Sequence, residues 1–229
     1  MAASDNDVPS PAQRFAAEAV KETLARSTDV DSCMALASRI DSLLDQAFSS
    51  FQEAGAGLAC CAGCNFCCHL RVMVYPHEAI ALFRFLRSRI APDVADGIRT
   101  RLLENADRIS KLSRDGSLPT GIACAFLVDG KCGAYEVRPA ACSGYHSLSR
   151  EHCERSYQSA GSADIPVSQG LRYVAAALDD GMDQALKAAG LSTTSVELQT
   201  AVAALIRNPA LIERWRSGRE LLKKAAPAG

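Results

Sequence analysis

Hydrophobic side chains in the first quarter of the chain recur every three or four residues, which is the repeat of one face of an α-helix. Residues 11–54 carry two such stripes, and the stronger one runs from Ile40 to Phe51. A polar stretch at residues 27–31 separates the stripes, and Gly55 follows the second one. We therefore expect two consecutive helices that end shortly before residue 57.

The middle of the chain alternates short extended segments with helical ones. Residues 70–75 are apolar and β-branched, which predicts a brief strand or an extended link. Pro76 and Pro92 each precede an apolar stripe at helical spacing, so two helices are expected to begin there. A loop is expected around residues 115–121. An Asp-Gly pair within residues 126–135 predicts the turn of a β-hairpin.

From about residue 166 onward the sequence returns to helical spacing. Gly190 is expected to end the first helix of this part. Thr194 and Glu197 have the spacing of a capping box, which predicts that the next helix starts beside Thr194. Pro209 predicts the beginning of a last helix that contains Trp215 and Leu221. The fold class is therefore expected to be mainly α, with a short β-hairpin.

Composition narrows the class of protein. The chain has 229 residues, 48% of them hydrophobic, which is enough for a sizeable core. A net charge of −1 provides no basic field for nucleic acid, and no apolar run is long enough to cross a bilayer. The N-terminus has neither the basic start nor the apolar stretch of a secretory signal. We therefore expect a cytoplasmic protein with no nucleic-acid or membrane partner.

Ten cysteines in a chain expected in the cytoplasm need a chemical explanation. Nine of them lie between Cys60 and Cys153, and only Cys33 stands apart. A reducing compartment disfavours disulfides and favours metal binding or redox chemistry, so a disulfide-stabilised fold is the weaker alternative. Cys33 falls in a helical stretch and is expected to be an ordinary small buried residue.

The densest group is the segment Cys60-Cys-Ala-Gly-Cys-Asn-Phe-Cys-Cys-His69, which contains the motif CxxCxxCC. Two cysteines separated by two residues can direct their sulfur atoms into one small volume, and a thiophilic metal stabilises the thiolates there. Gly63 removes a side chain where the backbone approaches that volume. The adjacent side chains of Cys67 and Cys68 are expected to diverge. They would then serve two centres, or one of them would be a structural neighbour.

Further cysteines follow the predicted helical hairpin. Cys124 and Cys132 flank the predicted β-hairpin, which would bring them near each other, and a short helical turn presents Cys142. Cys153 follows after a further loop. Together with the first group, these thiols are enough for two four-coordinate sites, or for one site with additional redox-active cysteines.

The cysteines stand in an ordered set of motifs: CxxCxxCC, then Cys124-x-Phe-Leu, then Gly-Lys-Cys132-x-x-Tyr135-Glu-x-Arg138-Pro139-x-x-Cys142. This order resembles the YkgJ-like cysteine-cluster family, which is described as zinc- or iron-chelating, over about residues 58–155. The resemblance implies chelation and leaves open whether Cys60 or Cys61 is the first ligand. Cys153 fits a later cysteine of some members. Carried over position by position, the resemblance nominates these metal ligands: Cys61, Cys64, Cys67, Cys68, Cys124, Cys132 and Cys142.

Three segments are expected on this basis. Residues 1–57 form N-terminal helices, and residues 58–155 form the cysteine-cluster metal-binding domain with an inserted helical hairpin. Residues 156–229 form C-terminal helices that pack on the same core. The fold is then a helical domain with a cysteine-rich metal-binding loop region.

Zinc and iron both suit this set of ligands. Cys61, Cys64 and Cys67 match the CxxCxxC that begins the ferredoxin run, but Arg71 and Val72 occupy the positions of its fourth cysteine and proline. A [4Fe-4S] cluster would therefore need another ligand from the downstream cysteines. Four thiolates also form a tetrahedral zinc site, so both alternatives stay open.

Polar residues beside the cysteines suggest supporting roles. His69 and His152 adjoin cysteines and could each replace a thiolate. Arg138 is expected either to donate hydrogen bonds to the sulfur atoms or to form a salt bridge with Glu136 or a neighbouring carboxylate. Tyr135 is expected to pack within the hairpin.

These observations favour a metal-binding protein. The metal ion is the expected partner, and a protein partner stays open. No phosphate-binding loop, GxSxG elbow or HExxH motif occurs in the sequence. The alternative is an iron–sulfur or zinc-dependent enzyme with redox or modification chemistry. A substrate pocket that opens onto the metal would favour that alternative.

Overall fold

The structure is a computed structural model that describes residues 9–24, 28–61, 63–111, 121–159 and 163–222. The start of the chain, part of the predicted break at residues 27–31 and most of the loop predicted around residues 115–121 lie outside the described residues.

Helices make up most of the described chain, which confirms the prediction of a mainly α fold. In chain order the α-helices are α1 (Pro11–Leu24), α2 (Val30–Glu53), α3 (Pro76–Ser88), α4 (Pro92–Ile109), α5 (Ala140–Ser143), α6 (Arg150–Gln158), α7 (Gln169–Ala188), α8 (Leu198–Arg207) and α9 (Leu211–Arg216). Two 3₁₀ helices span Phe66–His69 and Tyr135–Val137. The strands are β1 (Met73–Val74), β2 (Leu127–Val128), β3 (Lys131–Cys132) and β4 (Val196–Glu197).

The two N-terminal helices form as predicted. The Asp29 side chain caps α2 by accepting a hydrogen bond from the backbone amide of Ser32 at 2.8 Å. Helix α1 packs against α7, and α2 packs against α3. At Gly181 the helices α1 and α7 approach so closely that a β-carbon would collide with the carbonyl oxygen of Gln13. This contact therefore requires a residue without a side chain.

Helices α3 and α4 begin at the two prolines, as predicted, and the predicted strand before α3 is present as β1. In the first turn of α3, the buried Glu78 carboxylate accepts a hydrogen bond from the backbone amide of Tyr75 at 2.7 Å. This bond gives the amide of Tyr75, at the helix N-terminus, an acceptor that the helix backbone does not provide.

The described residues form two short antiparallel sheets, one local and one between distant parts of the chain. Strands β2 and β3 form the predicted hairpin, in which Asp129 and Gly130 have φ angles of 49° and 75°. Positive φ at both central residues is what a two-residue hairpin turn requires. Strand β1 pairs with β4, with Val74 opposite Val196. The sequence did not predict this second pairing.

The predicted capping box at the start of α8 is wrong. Residues 196–197 are extended because they pair with β1, so α8 begins at Leu198 and not beside Thr194. Glu197 itself caps the helix, since its carboxylate accepts a hydrogen bond from the backbone amide of Thr200 at 2.7 Å.

Two other segments differ from the predictions. Helix α6 forms where only a loop was expected before Cys153, and the Ser149 side chain caps its first turn. Helix α9 follows Pro209 and contains Trp215, as predicted, but it ends before Leu221. Leu221 is nevertheless fully buried.

One buried apolar cluster includes residues from both ends of the chain and from its middle. Leu36 of α2, Leu82 of α3 and Trp215 of α9 are each at most 1% exposed in this cluster. Cys124 and Cys132 pack against it. The segment boundaries at residues 57 and 155 stay predictions. Within the described ranges, no helix has the length and apolar character needed to cross a membrane.

Candidate metal centre

A tight turn and a 3₁₀ helix carry the first group of cysteines. The backbone amide of Cys64 donates to the carbonyl of Cys61 at 3.0 Å, and Gly63 has a φ of 83° within this turn. Cys67 and Cys68 follow on the 3₁₀ helix. Interaction with the Cys68 side chain and burial raise the pKa of the Cys67 thiol.

A main-chain hydrogen bond joins the two groups of cysteines. The backbone amide of Cys124 donates to the carbonyl of Cys68 at 2.7 Å. Cys124 precedes β2, and Cys132 lies on β3 opposite Leu127. The hairpin therefore places Cys132 near Cys124, as predicted. A thiolate at Cys132 raises the pKa of Cys124, and thiolates at either position raise the pKa of Cys142.

The buried Glu78 positions Cys142. Helix α5 carries Cys142, and the backbone amide of Ala140 at its start donates to the Glu78 carboxylate at 2.8 Å. The other oxygen of this carboxylate accepts the amide of Tyr75. Burial raises the pKa of Glu78 to about 7, although the two amide donors act in the opposite direction. The short helix with Cys142 is thus tied to the start of α3.

In three cases the backbone amide two residues further along the chain acts on the thiol. This amide favours the thiolate and so lowers the pKa, in opposition to burial. The three pairs are Cys64 with Phe66, Cys124 with Phe126 and Cys132 with Ala134.

Burial opposes ionisation of the downstream thiols. It raises the pKa of Cys124 to about 12, and it raises the pKa of Cys132 above its ordinary value. The pKa of Cys142 lies far above that value because of burial and of the thiols of Cys124, Cys67 and Cys132. Several thiolates can coexist in such an interior only if a cation compensates their charge.

The cysteines outside the CxxCxxCC core differ in their surroundings. Cys60 is half-buried, and its sulfur accepts the backbone amide of Ser147 at 3.3 Å, whereas Cys61 is exposed. Cys153 is buried on α6. Cys33 is fully buried in α2, as predicted, and burial raises the pKa of its thiol.

Arg138 pairs with two carboxylates of α2. Its guanidinium lies 3.1 Å from Asp41 and 2.6 Å from Asp45. The predicted salt bridge with a neighbouring carboxylate is therefore formed, and its partners are these two aspartates and not Glu136. Burial raises the pKa of Asp41 to about 6, although Arg138 lowers it. The guanidinium also stacks on the ring of Tyr135 at 3.7 Å. Tyr135 is 52% exposed and does not pack inside the hairpin.

Two of the histidines contact side chains other than thiols, and a third is fully buried. The ring of His69 packs on Tyr157 with 4.6 Å between centroids, and Nδ1 of His152 lies 2.8 Å from the Ser149 hydroxyl. His77 is fully buried in α3, and neither of its ring nitrogens has a hydrogen-bond partner in the described part of the chain. Burial lowers the pKa of His77 to about 3.

Two buried amide side chains, which the sequence analysis missed, hold the backbone around Cys124. The Gln199 side-chain oxygen accepts hydrogen bonds from the backbone amide of Ala125 at 2.9 Å and from Asn105 at 2.7 Å. Asn105 also donates to the carbonyl of Ala123 at 2.9 Å. A signal was available, because Asn105 stands at helical spacing within the apolar stripe of α4, where a polar residue is unusual.

A cavity of about 340 Å³ lies beside the first group of cysteines. Cys67 and Cys153 form part of its wall, together with the rings of Phe66, Tyr145 and Tyr157. Helix α6 and the 3₁₀ helix Phe66–His69 pack against each other at this cavity. The cysteine cluster is therefore open on one side to a small molecule.

The ligand type suits a thiophilic metal. As the side chains stand, no three cysteine, histidine, aspartate or glutamate side chains of the described residues are gathered closely enough to hold a metal ion. The thiols nevertheless lie on segments that hydrogen bonds tie together, and three of them carry amide donors that favour the thiolate. Soft thiolate ligands select zinc, iron–sulfur clusters or copper.

The cysteine-rich segment carries the ligand types of a metal-chelating domain. Residues 60–160 match the family model CxxCxxCC, whose description is "putative zinc- or iron-chelating domain". This match supports metal binding by the segment. Comparisons of the chain with curated proteins and with solved structures found no match.

Proposed function

We propose that this protein binds zinc or iron through the cysteines between residues 60 and 153, as a cytoplasmic metal-binding protein with the YkgJ-like cysteine-cluster pattern. The hydrogen bond between Cys68 and Cys124 carries the proposal, because it brings together two groups of thiols that are far apart in sequence. The match of residues 60–160 to a chelating family supports it. The predicted ligands are Cys61, Cys64, Cys67, Cys68, Cys124, Cys132 and Cys142.

The charge balance explains what the metal would contribute. Burial keeps thiols such as Cys124 and Cys142 neutral in the metal-free chain. A bound cation supplies the positive charge that stabilises thiolates, so binding releases protons. Stable folding of the cysteine-rich segment then depends on the metal, because the same segment connects α2, α3 and α5.

Anaerobic purification with metal and sulfide analysis and a visible spectrum tests the proposal. Iron with acid-labile sulfide would establish a cluster, and colourless protein with stoichiometric zinc would establish a zinc site. We expect C64A to lose bound metal and C33A to keep it, because Cys33 is buried in α2 away from the other thiols. Wild-type protein that is folded and binds neither metal would overturn the proposal.

The cavity beside Cys67 and Cys153 supports a second candidate, an iron–sulfur or zinc-dependent enzyme. An enzyme of this kind keeps a coordination position that small molecules can reach. Adding cyanide or imidazole to the cobalt-substituted chain tests this point. A shift of the cobalt d–d bands would support an open position. A spectrum that stays unchanged and typical of four thiolates would favour a closed, non-catalytic site.

A further inference from the structure

Helix α6 forms one side of the 340 Å³ cavity, largely with small side chains. Cys153, Ser156 and Tyr157 stand at helical spacing, so they share one face of α6. Cys153 is 6% exposed and Ser156 is 4% exposed. Because these two side chains are small, they leave space between α6 and the 3₁₀ helix Phe66–His69 that packs against it. The cavity is therefore a consequence of the residue sizes on this face.

Aromatic rings form much of the remaining wall. The ring of Tyr157 lies 4.6 Å from that of His69 and 5.9 Å from that of Phe66, with interplanar angles of 59° and 48°. Aromatic pairs favour such tilted arrangements, so these contacts orient Tyr157 although it is 49% exposed. The ring of Tyr145 completes the aromatic part of the wall. A further aromatic ring placed in the cavity would therefore find several rings to pack against.

The charge of the wall selects against ionised ligands. Among the described residues that line the cavity, none is an aspartate, glutamate, lysine or arginine, and Leu70 and Ile165 add aliphatic surface. The guanidinium of Arg150 lies 5.9 Å from the centre of the Phe66 ring, but Arg150 does not line the cavity. A carboxylate or an ammonium group in this cavity would lose its hydration and gain no counter-charge. The wall therefore favours an uncharged ligand.

The volume limits the size of the ligand. Cavities that bind small molecules usually enclose about 300 to 1,000 Å³, and this one lies near the lower end of that range. We propose that the cavity binds an uncharged aromatic molecule of one or two rings, which packs among Phe66, Tyr145 and Tyr157. This inference goes beyond the proposed function, and it rests on the walls of the cavity and not on a bound metal. Because Cys67 and Cys153 belong to the same wall, the bound ring would also cover this side of the cysteine cluster.

Calorimetric titration of the full chain with β-naphthol at neutral pH tests the proposal, because this probe is an uncharged molecule of two fused rings. We expect saturable binding at a single site per chain. β-Naphthoate has the same rings and a carboxylate, and it should bind at least about tenfold more weakly. β-Decalol has a similar size and the same hydroxyl but no aromatic ring, and it should bind roughly three- to tenfold more weakly.

Variants of the wall locate the binding site. Y157A removes the ring that packs on Phe66 and His69, so the affinity for β-naphthol should fall about tenfold, whereas Y157F should keep it. Y173A is the matched control, because it makes the same change at a tyrosine that is 68% exposed on α7 and does not line the cavity. Y173A should bind as the wild type does. In protein labelled at its isoleucine methyl groups, we expect nuclear Overhauser effects between β-naphthol and Ile165.

Several results would overturn the proposal. They are the absence of saturable β-naphthol binding up to its solubility limit, equal affinities in Y157A and Y173A, and Overhauser effects to other isoleucines but not to Ile165. Equal affinities for β-naphthol and β-naphthoate would overturn the assignment of an uncharged ligand. Far-UV circular dichroism confirms that each variant is folded, and the Ile165 contacts in the wild type decide the question if Y157A unfolds. The metal content is measured separately, so failure of this proposal and failure of chelation are distinguishable.

Discussion

Cys124 donates its backbone amide to the carbonyl of Cys68 at 2.7 Å, so the main chain itself joins the two halves of the cysteine cluster. The residues on both sides of Cys124 are held from another direction by Gln199 of α8 and Asn105 of α4. The position of Cys124 therefore depends on two helices outside the cysteine motifs.

Replacing Gln199 should disturb the metal centre without touching a thiol. Q199L leaves the buried amide of Ala125 and the side chain of Asn105 without their shared acceptor. We expect the free energy of unfolding to fall by about 2 kcal/mol or more, since unsatisfied buried donors are costly. Zinc affinity should fall roughly tenfold, as for other changes of residues that orient a ligand. Urea denaturation and a competitive zinc titration measure the two effects.

The control for this prediction is Q184L on α7. Gln184 is exposed and its side chain donates to Asp180 at 3.0 Å, so its loss should change stability by less than about 0.5 kcal/mol and leave zinc binding unchanged. Equal zinc affinities in Q199L and the wild type would show that the α8 side chain does not position Cys124.

Arg138 should be important for stability because its partner is buried. R138M leaves the Asp41 carboxylate, which is 4% exposed, without its counter-charge. We expect a loss of about 3 kcal/mol in the free energy of unfolding, the range for breaking a buried ion pair from one side. The double variant D41N/R138M should recover a large part of this loss, since the uncompensated charge is then absent. Denaturant unfolding of the wild type, R138M, D41N and D41N/R138M at pH 7.5 gives the coupling energy.

An exposed ion pair of the same type supplies the comparison. Arg207 lies 2.8 Å from Asp107, and both side chains are at least half exposed. R207M should therefore change stability by less than about 0.5 kcal/mol. If R138M were no more harmful than R207M, the pair with Asp41 would contribute nothing to the fold.

His77 should make the fold sensitive to mild acid. Burial lowers the pKa of His77 to about 3, compared with about 6.5 in the unfolded chain. Because the folded pKa is the lower one, the unfolded state binds more protons between these values. The stability present above pH 6.5 is therefore lost as the pH falls toward 3. Between pH 7 and pH 5 this single group should cost about 2 kcal/mol.

The variant H77L isolates this effect from all other titrations. Both proteins keep the same cysteines and carboxylates, so the difference between their pH profiles reports His77 alone. We expect the stability of H77L to exceed that of the wild type by an amount that grows as the pH falls from 7 to 5. Parallel profiles in urea denaturation would contradict a neutral, buried His77.

Two helical glycines should respond to alanine with opposite signs. A β-carbon at Gly181 would collide with the backbone of Gln13, so G181A should destabilise by about 1–3 kcal/mol through overpacking of α1 against α7. At Gly97 of α4 the nearest atom to an added β-carbon is the Arg101 side chain at 3.5 Å. G97A should therefore stabilise by about 0.5–1 kcal/mol, because alanine is the better helix former. Thermal or urea unfolding of both variants compares them, and an unchanged or increased stability of G181A would refute the close contact between α1 and α7.

Local sequence signals were enough to predict most of the helices and the hairpin. Helices α3 and α4 begin at Pro76 and Pro92 because proline suits a first helical turn. The Asp129-Gly130 pair forms the predicted turn because it tolerates positive φ at both positions. In these cases the determining residues lie within a few positions of the feature they determine.

Features that depend on distant residues could not be predicted in this way. Strands β1 and β4 have two residues each, too few for an alternating pattern, and they exist through their pairing. The sulfur of Cys60 accepts the amide of Ser147, which lies beyond the hairpin and α5. The sequence therefore indicated which thiols were candidates for a centre, but not that Cys60 bonds to Ser147 while Cys61 is exposed.

The pairing of β1 with β4 limits how far the chelating segment can be moved between proteins. The family match ends at residue 160, yet β1 closes against Val196, and the amide of Leu198 donates to the carbonyl of Val72 at 2.9 Å. A chain cut at the end of the match would expose an open strand edge and would lose Gln199 as well. The segment therefore depends on residues beyond the match. Placed in another protein, it would need a substitute for the strand and the helix that follow it here.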